Sequence, residues 1–231
     1  MKFEKNPKYN TLALFALIVV AFAALLISLF THADAVRAFF AKMARVLMPL
    51  LYAAMLDNGT ALPAMLFPDV PTYYRDFTPH NYNRTFDGAV PADRVVERSL
   101  NVPSVRMLDK YGKENFLALV RALGFGTIDR SAAHYGLSLI LGGAEISLWD
   151  LTSAYMKLAA KLNGRQTIRT PHYDPGGGTA VDAGDIPLSR GAIWLMANSI
   201  SHVARPEEEG EWQYFSSSKK IGWKTGTSYG N

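Results

Sequence analysis

The chain ends in the stretch IGWKTGTSYGN, residues 221–231, in which an alternating Ile-Gly-Trp lead runs into a Lys-Thr-Gly tripeptide. The alternation predicts a strand that carries Lys224. Far upstream, the stretch RSLNVPSV, residues 98–105, places a Ser-Leu-Asn tripeptide just before Pro103, which predicts a helix start. Either tripeptide alone arises by chance, but their order, separation and surroundings favour one shared site.

Both tripeptides hold residue types that serine acyl transfer uses beside its nucleophile. Such a reaction needs a serine, a base within hydrogen-bond reach and donors for the oxyanion, and Ser-x-x-Lys at a helix start supplies the first two. Ser-x-Asn adds a hydroxyl and an amide that relay protons and hold a substrate's backbone. Lys-Thr-Gly adds a positive charge, a hydroxyl for a carboxylate and room for a peptide.

The stretch from about residue 50 to the C-terminus resembles the transpeptidase domain of class A penicillin-binding proteins, most closely the 1C type. The segments that carry the resemblance are PHNY (79–82), GAVP (88–91), RSLNVPSV (98–105), YGLSLILGGAE (135–145) and WKTGTSYG (223–230). It implies peptidoglycan cross-linking, in which a D-Ala-D-Ala stem peptide acylates the enzyme and an acceptor amine takes the acyl group. It also implies that β-lactams are suicide substrates.

The resemblance implies roles for individual residues of this chain. Ser99, Asn101 and Lys224 match the catalytic positions of the second and third motifs. Thr225, Gly226 and Thr227 match substrate-binding positions, and the backbone N–H of Thr227 would form half of the oxyanion hole. The family's oxyanion hole takes its other half from the nucleophilic serine.

The first motif departs from the family pattern. Where the family has Ser-x-x-Lys-Pro, this chain reads RVLMP, so that Arg45 stands at the serine position and Met48 at the lysine position. A guanidinium is not a nucleophile and a thioether is not a base, so we expect the chain to be catalytically inactive. Literal Ser-x-x-Lys matches begin at Ser216 and Ser217, where the family has a surface turn, and a nucleophile relocated there is the weaker alternative.

The N-terminal part predicts a membrane attachment. Residues 1–10 form a flank and residues 11–31 a transmembrane anchor, because about 20 uncharged apolar residues span a bilayer. A cleaved secretory signal is the rival interpretation. Basic residues flank the span almost equally, so charge leaves the orientation open. The family resemblance implies a bacterial inner-membrane location, a single span and a C-terminal domain on the periplasmic side.

Residues 32–49 predict an amphipathic juxtamembrane helix that Pro49 kinks or divides, and residues 50–231 a partial transpeptidase domain. The apolar run up to Leu56 favours a core helix over a re-entrant segment. Residues 1–50 weakly resemble the N-terminus of an autoinducer-exporter-type membrane permease, in NPKYN (6–10) and VLMP (46–49). The two resemblances meet near Pro49.

Composition excludes several other kinds of site. The chain has no cysteine, its five histidines are far apart, and its net charge is only +4 with scattered basic residues. We therefore expect no cofactor, no metal and no nucleic-acid partner. The expected partners are a peptidoglycan stem peptide or β-lactam, and membrane lipid.

The expected fold is mainly α with a few short strands. It corresponds to the helical part of the penicillin-binding and serine β-lactamase-like α/β transpeptidase fold, with an incomplete sheet, preceded by one transmembrane helix. A lone Lys-Thr-Gly strand would leave backbone groups unpaired. Two functional alternatives therefore stay open: a non-enzymatic membrane-tethered binding module, and a non-functional truncated fusion.

Overall fold

The computed structural model describes residues 46–75, 77–169, 180–182, 185–203 and 221–224. Helices make up most of this part of the chain, as predicted. In chain order the elements are α1 (Leu47–Asp57), β1 (Leu66–Asp69), β2 (Gly88–Pro91), α2 (Ala92–Glu97), α3 (Asn101–Tyr111), α4 (Lys113–Ala122), α5 (Ala132–Tyr135), a 3₁₀ helix (Gly136–Leu141), α6 (Leu148–Leu162), β3 (Thr167–Arg169), β4 (Ala180–Asp182) and α7 (Arg190–Ser201).

Helix α1 is a core helix. Its sequence LMPLLYAAMLD is apolar on every side, and residues 47–55 are all buried against α2, α3, α4 and α7. Each fully buried Leu or Met side chain contributes about 1.5–3 kcal/mol, so the packing favours this helix strongly. Pro49 lies in the first turn, where no N–H is required, and the helix runs on without a break. Just beyond its last residue, Gly59 has a φ of 74° and completes the turn that follows the helix.

Strands β1 and β2 form a two-stranded antiparallel sheet, in which Leu66 pairs with Pro91 and Asp69 pairs with Gly88. Helix α3 packs on β1. The chain between the two strands includes the PHNY segment, which the pairing of β1 with β2 holds beside the start of α3. Strands β3 and β4 form a second antiparallel pair, in which Thr167 pairs with Asp182.

Several helix ends follow the capping signals in the sequence. Ser147 Oγ accepts a hydrogen bond from Asp150 N at 3.0 Å, and Ser189 Oγ accepts one from Ala192 N at 3.3 Å. These hydroxyls cap the N-terminal ends of α6 and α7. Gly112, with a φ of 93°, separates α3 from α4 and lets the chain turn between two helices that are one residue apart.

Within the described residues, no helix is both long and apolar enough to cross a membrane. The predicted anchor over residues 11–31 and most of the predicted juxtamembrane helix lie outside the described residues.

Candidate active site and ligand groove

Ser99 lies in the short link between α2 and α3. Its φ of 54° is in the left-handed region, which costs a non-glycine residue about 1–3 kcal/mol unless the surroundings enforce it. Its N–H donates to Val96 O at 3.2 Å, and the next N–H, that of Leu100, donates to Val95 O at 3.0 Å. These bonds close the C-terminal end of α2 and leave the serine in a half-buried position.

Lys224 reaches this serine from the other end of the chain. Lys224 Nζ donates a hydrogen bond to Ser99 Oγ at 2.5 Å, across a sequence separation of 125 residues. The second and third motifs therefore meet, as their predicted shared site requires. Thr225, Gly226, Thr227, Arg45, Ser216 and Ser217 lie outside the described residues.

The segment that carries Lys224 is held by the end of α7. Trp223 N donates to Ile200 O at 2.8 Å. A Cβ on Gly222 would come within 2.9 Å of the Ile200 side chain, so glycine permits this close approach. Residues 221–224 belong to no strand of the described structure, and the strand predicted for them is therefore wrong at these four residues. The α7 contact holds them instead.

Asn101 is the first residue of α3 and is 1% exposed. Its Nδ2 donates to His80 O at 2.7 Å, which fixes the orientation of the amide. Its Oδ1 is buried and accepts no hydrogen bond from any described residue. A buried acceptor that is left unmatched costs about 1–3 kcal/mol.

Asn81 is a site residue that sequence reasoning missed. It is 2% exposed, and its Oδ1 accepts hydrogen bonds from Asn101 N at 3.0 Å and Val102 N at 3.2 Å. Its Nδ2 donates to Asp69 Oδ1 at 2.7 Å and to Thr85 O at 2.9 Å. The PHNY segment contributed to the family resemblance, but nothing in its composition indicated which of its side chains points at α3.

Charged groups surround the link on its α2 side. Arg98 forms an ion pair with Asp87 at 2.5 Å. Burial raises the pKa of Glu97 above its ordinary value, although its ion pair with Arg94 at 2.8 Å opposes the shift. Two charged features therefore lie next to Ser99. One is the exposed ion pair between Arg98 and Asp87, and the other is the carboxyl of Glu97, whose charged form is disfavoured by burial.

The position that the family resemblance aligns with the base is apolar in this chain. Met48 is the second residue of α1, is 2% exposed and belongs to the hydrophobic core. A thioether there contributes packing and supplies no proton acceptor of use to a serine.

A separate concave region of about 300 Å³ lies along the C-terminal half of α3. Arg106, Asp109 and Lys110 line it together with residues of β1 and Tyr74. Lys110 Nζ lies 5.4 Å from the centre of the Phe67 ring, which is a cation–π contact. Among the described residues, no group of His, Asp or Glu side chains is arranged to hold a metal ion.

Comparison with known proteins agrees with this geometry. The family model for the penicillin-binding protein transpeptidase domain matches residues 46–230. Penicillin-binding protein 1C of Escherichia coli (strain K12) is 34% identical over 204 residues, which is 88% of this chain and 25% of that protein. The chain thus spans about a quarter of the length of this relative.

Solved structures share the fold at low sequence identity. The transpeptidase domain of Burkholderia pseudomallei penicillin-binding protein 3 aligns with a TM-score of 0.61 at 14% identity, over 82% of this chain and 61% of that one. PonA1 of Mycobacterium tuberculosis in complex with penicillin V aligns with a TM-score of 0.54 at 17% identity, over 71% of this chain and 49% of that one.

The chain belongs to the penicillin-binding protein transpeptidase family, as a class A transpeptidase domain. The predicted family is therefore confirmed. The matched region begins at residue 46, slightly before the boundary predicted near residue 50.

Proposed function

We propose that this chain retains the ligand-contacting wall of a penicillin-binding transpeptidase site and performs no acyl transfer. The family role from which it derives is peptidoglycan cross-linking. The observation that carries the proposal is the hydrogen bond between Lys224 Nζ and Ser99 Oγ, which joins two family motifs while Met48 occupies the position of the base.

The missing chemistry follows from the residues at the first motif. Acylation requires a nucleophile that attacks the carbonyl carbon of the penultimate D-Ala and a base that takes its proton while the terminal D-Ala leaves. Arg45 offers no nucleophile, and Met48 offers no base. Residues that act as one catalytic unit lose nearly all of their effect together, so we expect acyl transfer to fall to background.

The retained groups suit a peptide that ends in a carboxylate. The Lys224 ammonium is a fixed positive charge beside the Ser99 hydroxyl. The buried Oδ1 of Asn101 is an acceptor for a peptide N–H. Thr225, Gly226 and Thr227 would extend this wall by a hydroxyl and by backbone groups. The ligands that match this chemistry are a peptidoglycan stem peptide and a β-lactam, and the related PonA1 structure contains penicillin V.

The location that we propose is the bacterial inner membrane, with residues 11–31 as a single-pass anchor and the transpeptidase domain on the periplasmic side. The apolar, uncharged composition of this segment supports the anchor.

Labelling with fluorescent penicillin tests the absence of acyl transfer. We expect no labelled band from the full chain in detergent, and no mass increase in intact mass spectrometry after incubation with penicillin. Penicillin-binding protein 1C of Escherichia coli serves as the positive control. A labelled band that disappears in a Ser216→Ala/Ser217→Ala variant would overturn the proposal.

Ligand retention is tested by calorimetric titration with a peptide that ends in Lys-D-Ala-D-Ala. We expect weak reversible binding that Lys224→Ala weakens by about tenfold, since a charge-assisted hydrogen bond contributes about 1.5–3 kcal/mol. The matched control is Lys161→Ala, which removes a lysine that contacts Ile186 O instead. Absence of binding by the folded wild-type chain would favour a non-functional fragment.

A further inference from the structure

We propose that Asn81 is the positioning residue of this site, because its side-chain amide places Ser99 and Asn101 although it precedes Asn101 by 20 residues. We call the unit formed by Asn81, the Asp69 carboxylate and the first two N–H groups of α3 the Asn81 clamp. The ligand-binding part of this proposal rests on the proposed function. Its structural part can be tested without a ligand.

Helix α3 needs an external acceptor at its start. The first N–H groups of a helix have no partner within it, and the residue at the N-cap position, Leu100, has no polar side chain. Asn81 Oδ1 accepts from both Asn101 N and Val102 N and so replaces a local cap. The adjacent carbonyl, His80 O, accepts from the Asn101 side chain. Two consecutive residues of the loop thus hold Asn101 by its backbone and by its amide.

Asp69 determines which way the Asn81 amide faces. The Asp69 side chain is fully buried at the end of β1, and its two oxygens accept from Asn81 Nδ2 at 2.7 Å and from Asp87 N at 3.1 Å. An ionised carboxylate only accepts hydrogen bonds, so the NH₂ group of Asn81 must face Asp69. The amide oxygen is then directed at α3. Asp69 forms no ion pair with any described residue. Its role here is to orient the side-chain amide of Asn81.

The same loop also holds the other side of Ser99. Asp87, whose N–H bonds to Asp69, pairs with Arg98 at 2.5 Å. The residue before the serine and the second residue after it are therefore both attached to the chain between β1 and β2. A non-glycine residue keeps a left-handed backbone conformation only where its surroundings hold the chain on both sides of it. The Asn81 clamp and the ion pair between Arg98 and Asp87 hold Ser99 in this way.

An Asn81→Asp substitution separates positioning from general stability. The introduced carboxyl keeps an acceptor for α3 but lies about 2.7 Å from that of Asp69, where two carboxylates stay together only if they share a proton. It also loses the donor to Thr85 O, and because Thr85 is exposed, water can replace that bond at either pH. Sharing raises the pKa of such a pair, so the clamp of the variant is intact at low pH and is lost as pH rises through that value. Other charged or titratable groups close to Asn81 or Ser99 in the sequence are His80, Arg84, Asp87 and Arg98, and Arg106, Asp109 and Lys110 lie further along α3; the variant changes none of them.

The experiment is hydrogen–deuterium exchange of the full chain in detergent micelles, on peptides that cover residues 98–105, at pH 5.5 and pH 8 after correction for intrinsic rates. We expect Asn81→Asp to match the wild type at pH 5.5 and to exchange roughly five- to tenfold faster at pH 8, the effect of losing an N-cap. Asn83→Asp is the matched control, because Asn83 is exposed and accepts from Thr85 N within its own loop. It should match the wild type at both pH values.

A reciprocal swap tests the orientation of the amide. In an Asp69→Asn/Asn81→Asp double variant, the donor and the carboxylate exchange places, while Thr85 O loses its donor in the single and the double variant alike. We therefore expect exchange over residues 98–105 that is the same at both pH values and slower than that of Asn81→Asp at pH 8. If Asn81→Asp fails to fold at pH 5.5, the swap alone decides: exchange that is independent of pH and stays close to the wild-type rate supports the proposal, and exchange roughly five- to tenfold faster overturns it. Wild-type exchange of Asn81→Asp at both pH values also overturns it.

Titration with the Lys-D-Ala-D-Ala peptide at the same two pH values links the clamp to the site. We expect Asn81→Asp to lose roughly five- to tenfold in affinity at pH 8 and nothing at pH 5.5. If the exchange data show the pH effect while the wild type binds no peptide, the proposed function fails and the positioning role stands. If the wild type binds and the affinity of Asn81→Asp is independent of pH, the positioning role fails and the proposed function stands.

Discussion

The first turns of α1 and α3 are equally buried and chemically opposite. Met48, near the start of α1, is 2% exposed and packs in the hydrophobic core, whereas Asn101, at the start of α3, is 1% exposed and lies within a set of hydrogen bonds. The family resemblance assigns a site motif to each. Burial therefore does not distinguish a site from a core. The two turns differ in their chemistry: the α1 turn buries apolar side chains, whereas the α3 turn buries polar atoms whose hydrogen bonds offset the free energy lost on desolvation.

The most disruptive of these substitutions introduces a lysine into the apolar first turn of α1, at the position where the family has one. Met48→Lys should destabilise the chain by about 3 kcal/mol or more, because it buries a charge among apolar side chains. Urea unfolding followed by circular dichroism measures the loss, and Met48→Leu, which conserves volume, should cost under about 1.5 kcal/mol. A Met48→Lys variant as stable as Met48→Leu would show that this turn can still accommodate a polar group.

The opposite change removes polarity from the α3 turn. Asn101→Leu should cost about 1 kcal/mol, since it leaves His80 O without its donor at a part-buried position, while removal of the unmatched Oδ1 offsets part of the loss. The matched control is Asn115→Leu, which removes an exposed side chain that bonds to Tyr111 O within one turn. Chemical denaturation of both variants measures the difference, and equal losses would mean that the buried amide of Asn101 has no special role.

A smaller effect is expected at Gly222, which lies in the segment that brings Lys224 to Ser99. Gly222→Ala places a methyl group 2.9 Å from the Ile200 side chain and should weaken peptide binding several-fold, through about 1 kcal/mol of overpacking. Because the opposing atoms belong to a side chain, Ile200→Val should relieve part of the effect in the double variant. Calorimetric titration of the four members of this cycle gives the coupling between the two residues. Additive losses would contradict the contact.

The smallest effect concerns the charge of Glu97, which lies two residues before Ser99 at the end of α2. Burial raises its pKa, so its contribution favours the folded state below its unfolded pKa and is lost as pH rises through the higher folded value. Glu97→Gln should therefore stabilise the chain at pH 7 by under about 1 kcal/mol, and by nothing near pH 4, once the partly exposed ion pair with Arg94 is allowed for. Thermal unfolding at both pH values measures this. A loss at pH 7 would mean that the ion pair outweighs burial.

The sequence predicted the local features of this fold well. The apolar run up to Leu56 predicted the core helix α1, and Pro103 predicted the start of α3 to within two residues, because these signals lie in neighbouring residues. The meeting of Ser99 and Lys224 was also predicted, although only from the order of two motifs and a family resemblance. The catalytic roles of Ser99, Asn101 and Lys224 remain predictions. The substrate-binding roles of Thr225, Gly226 and Thr227 also remain predictions.

The long-range polar contacts could not be predicted in the same way. Asn81 reaches Asp69 across 12 residues and Asn101 across 20, and no periodicity relates such positions. The segment at 221–224 was assigned to a strand from its alternation, but a strand exists only where a partner edge is available. In the described structure the end of α7 contacts this segment instead.

The attachment of Trp223 N to Ile200 O gives the last turn of α7 a second consequence. Helix ends open and close more readily than helix centres, and here opening of the end would break one of the bonds that hold the segment carrying Lys224. By thermodynamic reciprocity, a ligand that binds more tightly when this bond is formed must favour the closed helix end by the same free energy. The fraying of the last turn of α7 is thereby linked to whether a ligand occupies the site at Ser99.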